Sequence, residues 1–148
     1  TLVLGENKRW KQDCDMGSQN NQNFVSMPTG LLKQMIIYKA SDAGIKTIMQ
    51  EESYTSQADI TAMDYIPVYG VDAENAVFSG RRISRSLYRC FNGMIINADC
   101  NGAANIMRKA ITDAWNSITD FSFLASPEVS GFHELNPLSI SVKGIAAA

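Results

Sequence analysis

The chain has 148 residues, 45% of them hydrophobic and 19% charged, which fits one soluble globular domain with room for a core. Its net charge of −2 argues against a strongly basic nucleic-acid binder, and no apolar run approaches a membrane span. Cys14, Cys90 and Cys100 show no paired spacing, so neither a disulfide framework nor a zinc site is suggested, and a reducing, cytoplasmic setting is the default.

The chain starts at Thr1 without an initiator Met and carries no secretory signal pattern, so it reads as part of a longer protein. "TLVLG" (1–5) is short and apolar and predicts a buried strand. Residues 6–28 are polar, rich in Asn and Gln, and predict a long loop. Pro28 and Thr29 open a helix, Leu32, Met35, Ile36, Lys39 and Ala43 recur at helical spacing, and Gly44 is a natural stop. "IKTIMQ" (45–50) predicts a second strand, which gives a βαβ crossover with parallel strands. Chemistry in α/β sheets gathers beyond the carboxyl ends of the strands, where Glu51 and Glu52 stand. Glu52 is a site candidate by position, and an exposed strand-end acid is its plainer reading.

Residues 53–80 look irregular, punctuated by Pro67, Gly70 and Gly80. "RSLYRCF-NG-MIINA" then predicts a hairpin about Asn92-Gly93, a turn whose two central residues take positive φ. Its second strand delivers Asp99 to the start of a helix with Ala103, Ala104, Ile106, Met107 and Ala110 as apolar residues. Asp99 is a natural N-cap, and it is also a candidate metal ligand. Residues 113–148 predict a loosely ordered tail that includes the sole histidine, His133.

Charge is unevenly spread. Residues 51–78 carry six acids and no base, whereas residues 79–110 carry six bases (Arg81, Arg82, Arg85, Arg89, Arg108, Lys109) and one acid, Asp99. Such a basic stripe can follow phosphates, or it can be a solvated strand face. Spacing alone leaves Glu52 and Asp99 open to sugar acid–base chemistry, a hard-cation site, or structural roles.

"EESYTS" (51–56), "SGRRISRSLYR" (79–89) and "INADCNGAANIMRK" (96–109) resemble, in this order, the C-terminal half of the OrfB/TnpB family. These are transposon-encoded, RNA-guided DNA endonucleases related to compact type V CRISPR effectors. "NKRWKQDCDMGSQNNQNF" (7–24) and "YKASDAGIKT" (38–47) resemble the segment before the glutamate in one branch, so the likeness spans roughly residues 2–110.

The resemblance implies an α/β fold, a partial RNase H-like (RuvC-type) mixed sheet with flanking helices, over residues 1–112. It implies three acids that bind two Mg²⁺ ions, of which Glu52 matches the second and Asp99 the third. The first belongs upstream of Thr1, and neither Asp13 nor Asp15 matches it. The branch is one without the four-cysteine finger, so no zinc is expected. DNA and a guide RNA are the implied partners, in a prokaryotic cytoplasm at the nucleoid. Lys8, Lys11, Arg81, Arg82, Arg85 and Arg89 are the expected phosphate contacts. Tyr54 and Trp10 are candidates for base stacking, with packing as the plainer reading. The first strands of such a sheet are absent, so a missing N-terminal segment or self-association is expected. The fragment alone is expected to cleave poorly. The alternative is a nuclease-dead or decayed remnant that binds nucleic acid or serves as a scaffold.

Overall fold

The computed structural model describes residues 1–7 and 29–127. Strand β1 (Leu2–Glu6) and strand β2 (Thr47–Glu51) pair in parallel, Leu2 beside Thr47 and Glu6 beside Glu51. Helix α1 (Thr29–Asp42) lies between them in sequence and ends before Gly44, whose φ of 69° suits the left-handed stop expected there. The predicted βαβ order therefore stands. The burial within it differs: β1, predicted as a buried strand, is only half-buried along its length. Leu31, Leu32, Met35 and Tyr38 are exposed, and Ala40 is the buried residue of α1. Apolar and polar residues are mixed around the helix circumference, so one side rests on β2 while apolar residues elsewhere face outward.

Strands β3 (Arg81–Arg82), β4 (Leu87–Arg89) and β5 (Ile95–Asn97) form a separate antiparallel sheet. The α/β class holds, but among the described residues the strands make two small sheets and not one mixed sheet. The hairpin falls where Asn92-Gly93 predicts it. Its turn is of another kind, because Gly93 takes φ 86° and Asn92 keeps negative φ. Gly93 N donates to Cys90 O (3.0 Å) and Cys90 N to Met94 O (2.9 Å), which makes a three-residue connection with glycine in the left-handed position.

Helix α2 (Ala98–Ala110) leaves β5 directly and packs against strands of both sheets. The core gathers Ile60, Tyr88, Cys90, Ile96, Ala104, Phe121 and Leu124, with Trp115 and Ile118 against it. Burial pushes the Cys90 thiol up to about 11, so it behaves as a small apolar group. Packing extends beyond residue 112, where the sequence predicts a tail: Phe121 and Leu124 are buried, and Trp115 Nε1 donates to Ala104 O at 3.0 Å. Among the described residues, no helix is long and apolar enough to cross a membrane.

The face of α2 turned inward is partly polar. Asn101 and Asn105 are fully buried, whereas Ala103, one of the helix's expected apolar residues, is exposed. Asn101 Nδ2 donates to Ala58 O (2.8 Å), and its Oδ1 accepts from Ile60 N (3.2 Å). Asn105 Nδ2 donates to Thr55 O (3.0 Å) and Ala58 O (2.7 Å). These bonds satisfy a buried, irregular backbone that has no ladder of its own. Gly102 contributes no comparable close approach, because a Cβ there would meet Ser56 Cα at an ordinary 3.9 Å. Urea unfolding is expected to separate the two kinds of residue. Asn105→Ala orphans buried carbonyls and costs about 3 kcal/mol. Gly102→Ala gains helix propensity and stabilises by about 0.8 kcal/mol.

Candidate functional site

Parallel β1 and β2 end together, and Glu52 N donates to Glu6 O at 3.2 Å, which carries the ladder one residue further. The chain then turns sharply. Thr55 N and Oγ1 both donate to Glu52 O (3.3 and 2.7 Å), and Tyr54 takes φ 64°, a left-handed conformation rare for a bulky residue. The Tyr54 ring stacks on Phe78, with centroids 6.3 Å apart and 23° between planes. Glu52 and Asp99 line one cleft of about 430 Å³, together with Tyr54, Ser56, Gly102 and Ile106. The structure thus brings the two predicted acids, from a strand end and a helix start, into one place.

Asp99 does not cap its helix. Asn97 Oδ1 accepts from Asp99 N (2.9 Å) and Cys100 N (3.0 Å) and takes that role. The Asp99 side chain is 82% exposed, and its Oδ1 lies 3.2 Å from Arg82 Nη2. A position in the first turn also favours a carboxylate through the helix dipole.

Glu51 is engaged elsewhere. Lys109 Nζ donates to Glu51 Oε2 (2.6 Å), Pro67 O (2.9 Å) and Ser53 O (3.2 Å), and Glu51 Oε1 accepts from Ser53 N (2.7 Å). Burial pulls the Glu51 carboxyl upward, but the hydrogen bonds from Lys109 and Ser53 outweigh it and leave it below the usual glutamate range. Lys109 thus serves Glu51, while Glu52 lines the cleft.

The basic stripe divides in three dimensions. Arg81 and Arg89 stand directly opposite one another across β3 and β4, both exposed. Like charges so placed repel, and a bound polyanion would relieve them. Arg85 is exposed, and Arg82 Nε donates to Ser84 O and Arg85 O besides facing Asp99. Arg108 turns inward to Asp64 O (2.5 Å) and Asn105 Oδ1 (3.1 Å). Lys8, Lys11, Trp10, Asp13 and Asp15 lie outside the described residues.

Three structural polar residues escape sequence reading. Buried Asp59 accepts from Thr61 N and Oγ1 and from Phe91 N (2.8, 2.7 and 2.6 Å). Buried Asp64 accepts from Asp59 N, Ser79 N and Ser79 Oγ (2.9, 2.8 and 2.6 Å). Tyr88 OH donates to Gln57 O at 2.7 Å. Among the described residues no group of three or more His, Cys, Asp or Glu is poised to hold a metal ion. Glu52 and Asp99 therefore make a two-carboxylate arrangement there, with hard oxygen donors of the kind Mg²⁺ takes.

A domain class follows from comparison with known families: the model described as Cas12f1-like, TNB domain, matches residues 30–106, from α1 through both cleft acids. The chain belongs to this family, in agreement with its OrfB/TnpB-like motifs. Among individual proteins it is similar to the CRISPR-associated endodeoxyribonuclease Cas12f1 of Sulfoacidibacillus thermotolerans, 37% identical over 93 residues. That match takes in 62% of this chain but spans only 18% of the relative's length. No solved structure matches the chain.

The Lys109 contact yields a pH-dependent expectation. Lys109 is 9% exposed and Glu51 40%, so Lys109→Met costs about 2 kcal/mol at pH 7, less than breaking a fully buried pair because solvent screens Glu51. Glu51's depressed carboxyl adds stability above its unfolded value of about 4.3, and this is lost as pH falls through the lower folded value. Chemical unfolding should show the gap between wild type and Lys109→Met narrowing below about pH 4.

Proposed function

We propose that this chain is the C-terminal part of an RNA-guided DNA endonuclease of the RuvC type, with residues 1–112 belonging to its nuclease domain. The observation that carries the reading is the single cleft shared by Glu52 and Asp99. Both acids fall inside the family match, and the relative named above is an endodeoxyribonuclease.

In this reading Glu52 and Asp99 hold Mg²⁺, with the third acid supplied from sequence upstream of Thr1. Bound Mg²⁺ supplies the positive charge that favours phosphodiester hydrolysis. The protein's own contribution is placement. The strand end fixes Glu52, the Asn97 cap fixes the helix start beneath Asp99, and Arg82 orients the Asp99 carboxylate. Arg81, Arg85 and Arg89 neutralise phosphates along the hairpin, and guide pairing supplies sequence choice. Tyr54 lines the cleft with its ring stacked on Phe78. Exposed Leu31, Leu32 and Met35 on α1 support a further segment of the protein, or a second copy, against this unit. A second reading, a non-enzymatic nucleic-acid binder, draws on the lack of a three-acid group among the described residues.

The two readings part in the full-length protein that carries this chain. Glu52→Gln and Asp99→Asn should each reduce Mg²⁺-dependent DNA cleavage to background while guide and target binding persists. Cleavage that survives both changes would remove these acids from the site. Arg81→Ala with Arg89→Ala should lower the slope of log affinity against log salt by about 2, measured by filter binding. An unchanged slope would take the hairpin out of the phosphate path.

A further inference from the structure

Gly5 lies within β1, one residue before the strand ends, and takes no left-handed φ. Its backbone therefore makes no demand for glycine, and glycine weakens a strand interior. The space around it explains its presence. A Cβ on Gly5 would collide with Glu52 Oε2, approach Glu52 Cδ to 3.3 Å, and meet Ile106 Cδ1 at 3.0 Å. The Glu52 carboxylate lies over β1 at the one place where the strand has no side chain.

The strand is also held where it is. Lys33 Nζ, from α1, donates to Gly5 O at 2.5 Å, and parallel pairing sets Gly5 beside Gln50. Ile106, on α2, bounds the same space and lines the cleft with Glu52 and Asp99. With strand and helix both fixed, the part that must yield first to an added methyl is the end of the Glu52 side chain, which it would overlap, ahead of the Ile106 Cδ1 methyl at 3.0 Å.

We propose that Gly5 is a positioning residue for Glu52: its missing side chain is the slot that seats the carboxylate in the cleft shared with Asp99. The proposal rests on the metal-binding reading of that cleft. Gly5 touches no substrate and acts through Glu52 alone.

The test uses the full-length protein that carries this chain, so that the third acid is present, and two readouts. The first is a double-mutant cycle on thermal unfolding midpoint, with Gly5→Ala made in wild type and in Glu52→Ala. A clash with the carboxylate makes Gly5→Ala lower the midpoint more in wild type than in Glu52→Ala, where only the Ile106 contact remains. Equal losses in both backgrounds would assign the glycine to packing against Ile106 and overturn the proposal. The second readout is Mn²⁺ affinity from water-proton relaxation. Gly5→Ala should weaken Mn²⁺ binding about tenfold. Glu52→Asp, one methylene shorter, clears the added methyl, so Gly5→Ala with Glu52→Asp should bind no more weakly than Glu52→Asp alone. Unaltered Mn²⁺ affinity in Gly5→Ala, where Glu52→Gln abolishes binding, would also overturn it. If Glu52→Gln leaves Mn²⁺ binding unchanged, the metal reading fails instead, and the unfolding cycle alone decides whether Gly5 seats Glu52.

Discussion

Two buried asparagines a helical turn apart hold the molecule together at its functional end. Residues 53–60 form neither helix nor strand, yet Thr55, Ala58, Asp59 and Ile60 are buried. Buried backbone groups must find partners, and this stretch has no ladder to supply them. Asn101 and Asn105 do so from α2, because an amide side chain offers donors and an acceptor together. Each bond is worth about 1 kcal/mol net, and each orphaned group would cost up to about 3. Glu52 precedes the clamped stretch and Asp99 precedes the clamping residues in the helix. The distance between the cleft's acids is therefore set by the seam between loop and helix, not by either sheet alone.

The charged residues continue the same logic. In a chain with near-balanced charge, acids and bases segregated in sequence can meet in space, as Lys109 and Glu51 do, and other charged side chains bind backbone and hydroxyl groups inside the fold. Asp59 fastens the loop to the hairpin turn through Phe91 N, and Asp64 fastens it to Ser79 ahead of β3. Arg108 and Lys109, at the far end of α2, grip backbone oxygens of the same irregular region. Burial lowers the pKa of the Arg108 guanidinium, with Asp64 acting the other way, yet arginine stays charged at any ordinary pH. The result is a loop region organised by charged and amide side chains around a modest apolar core.

What could be read in advance followed from local signals. Strand, helix and strand came from apolar runs and a glycine stop, and the hairpin from Asn92-Gly93, because these signals act over a few residues. The family motifs pointed to Glu52 and Asp99, and the cleft joins them. The inward face of α2 was harder. Helical periodicity counts apolar residues, so it chose Ala103 and passed over Asn101 and Asn105. A buried asparagine looks like a surface one until its long-range partners are known. The bases of residues 79–110 divide for the same reason, since a linear count cannot tell Arg89, facing solvent, from Lys109, facing Glu51. Trp115, Phe121 and Leu124 lacked a regular period and looked like tail, although large apolar groups of this kind can close a small core from irregular segments.

At both edges of the cleft the chain places two polar side chains close together and gives them separate work. Asn97 and Asp99 are both competent helix caps. The amide takes the cap, and the carboxylate beside it is left to the cleft. Glu51 and Glu52 are both strand-end acids. The first is bound by Lys109 and Ser53, and the second lies over the gap at Gly5. In each pair the residue with a structural task fixes the backbone from which the other projects. A carboxylate that had to cap a helix or neutralise a buried lysine could not also offer its oxygens outward. The doubling of polar residues at these two junctions is therefore what lets a small fold stay closed while two acids remain available in one cleft.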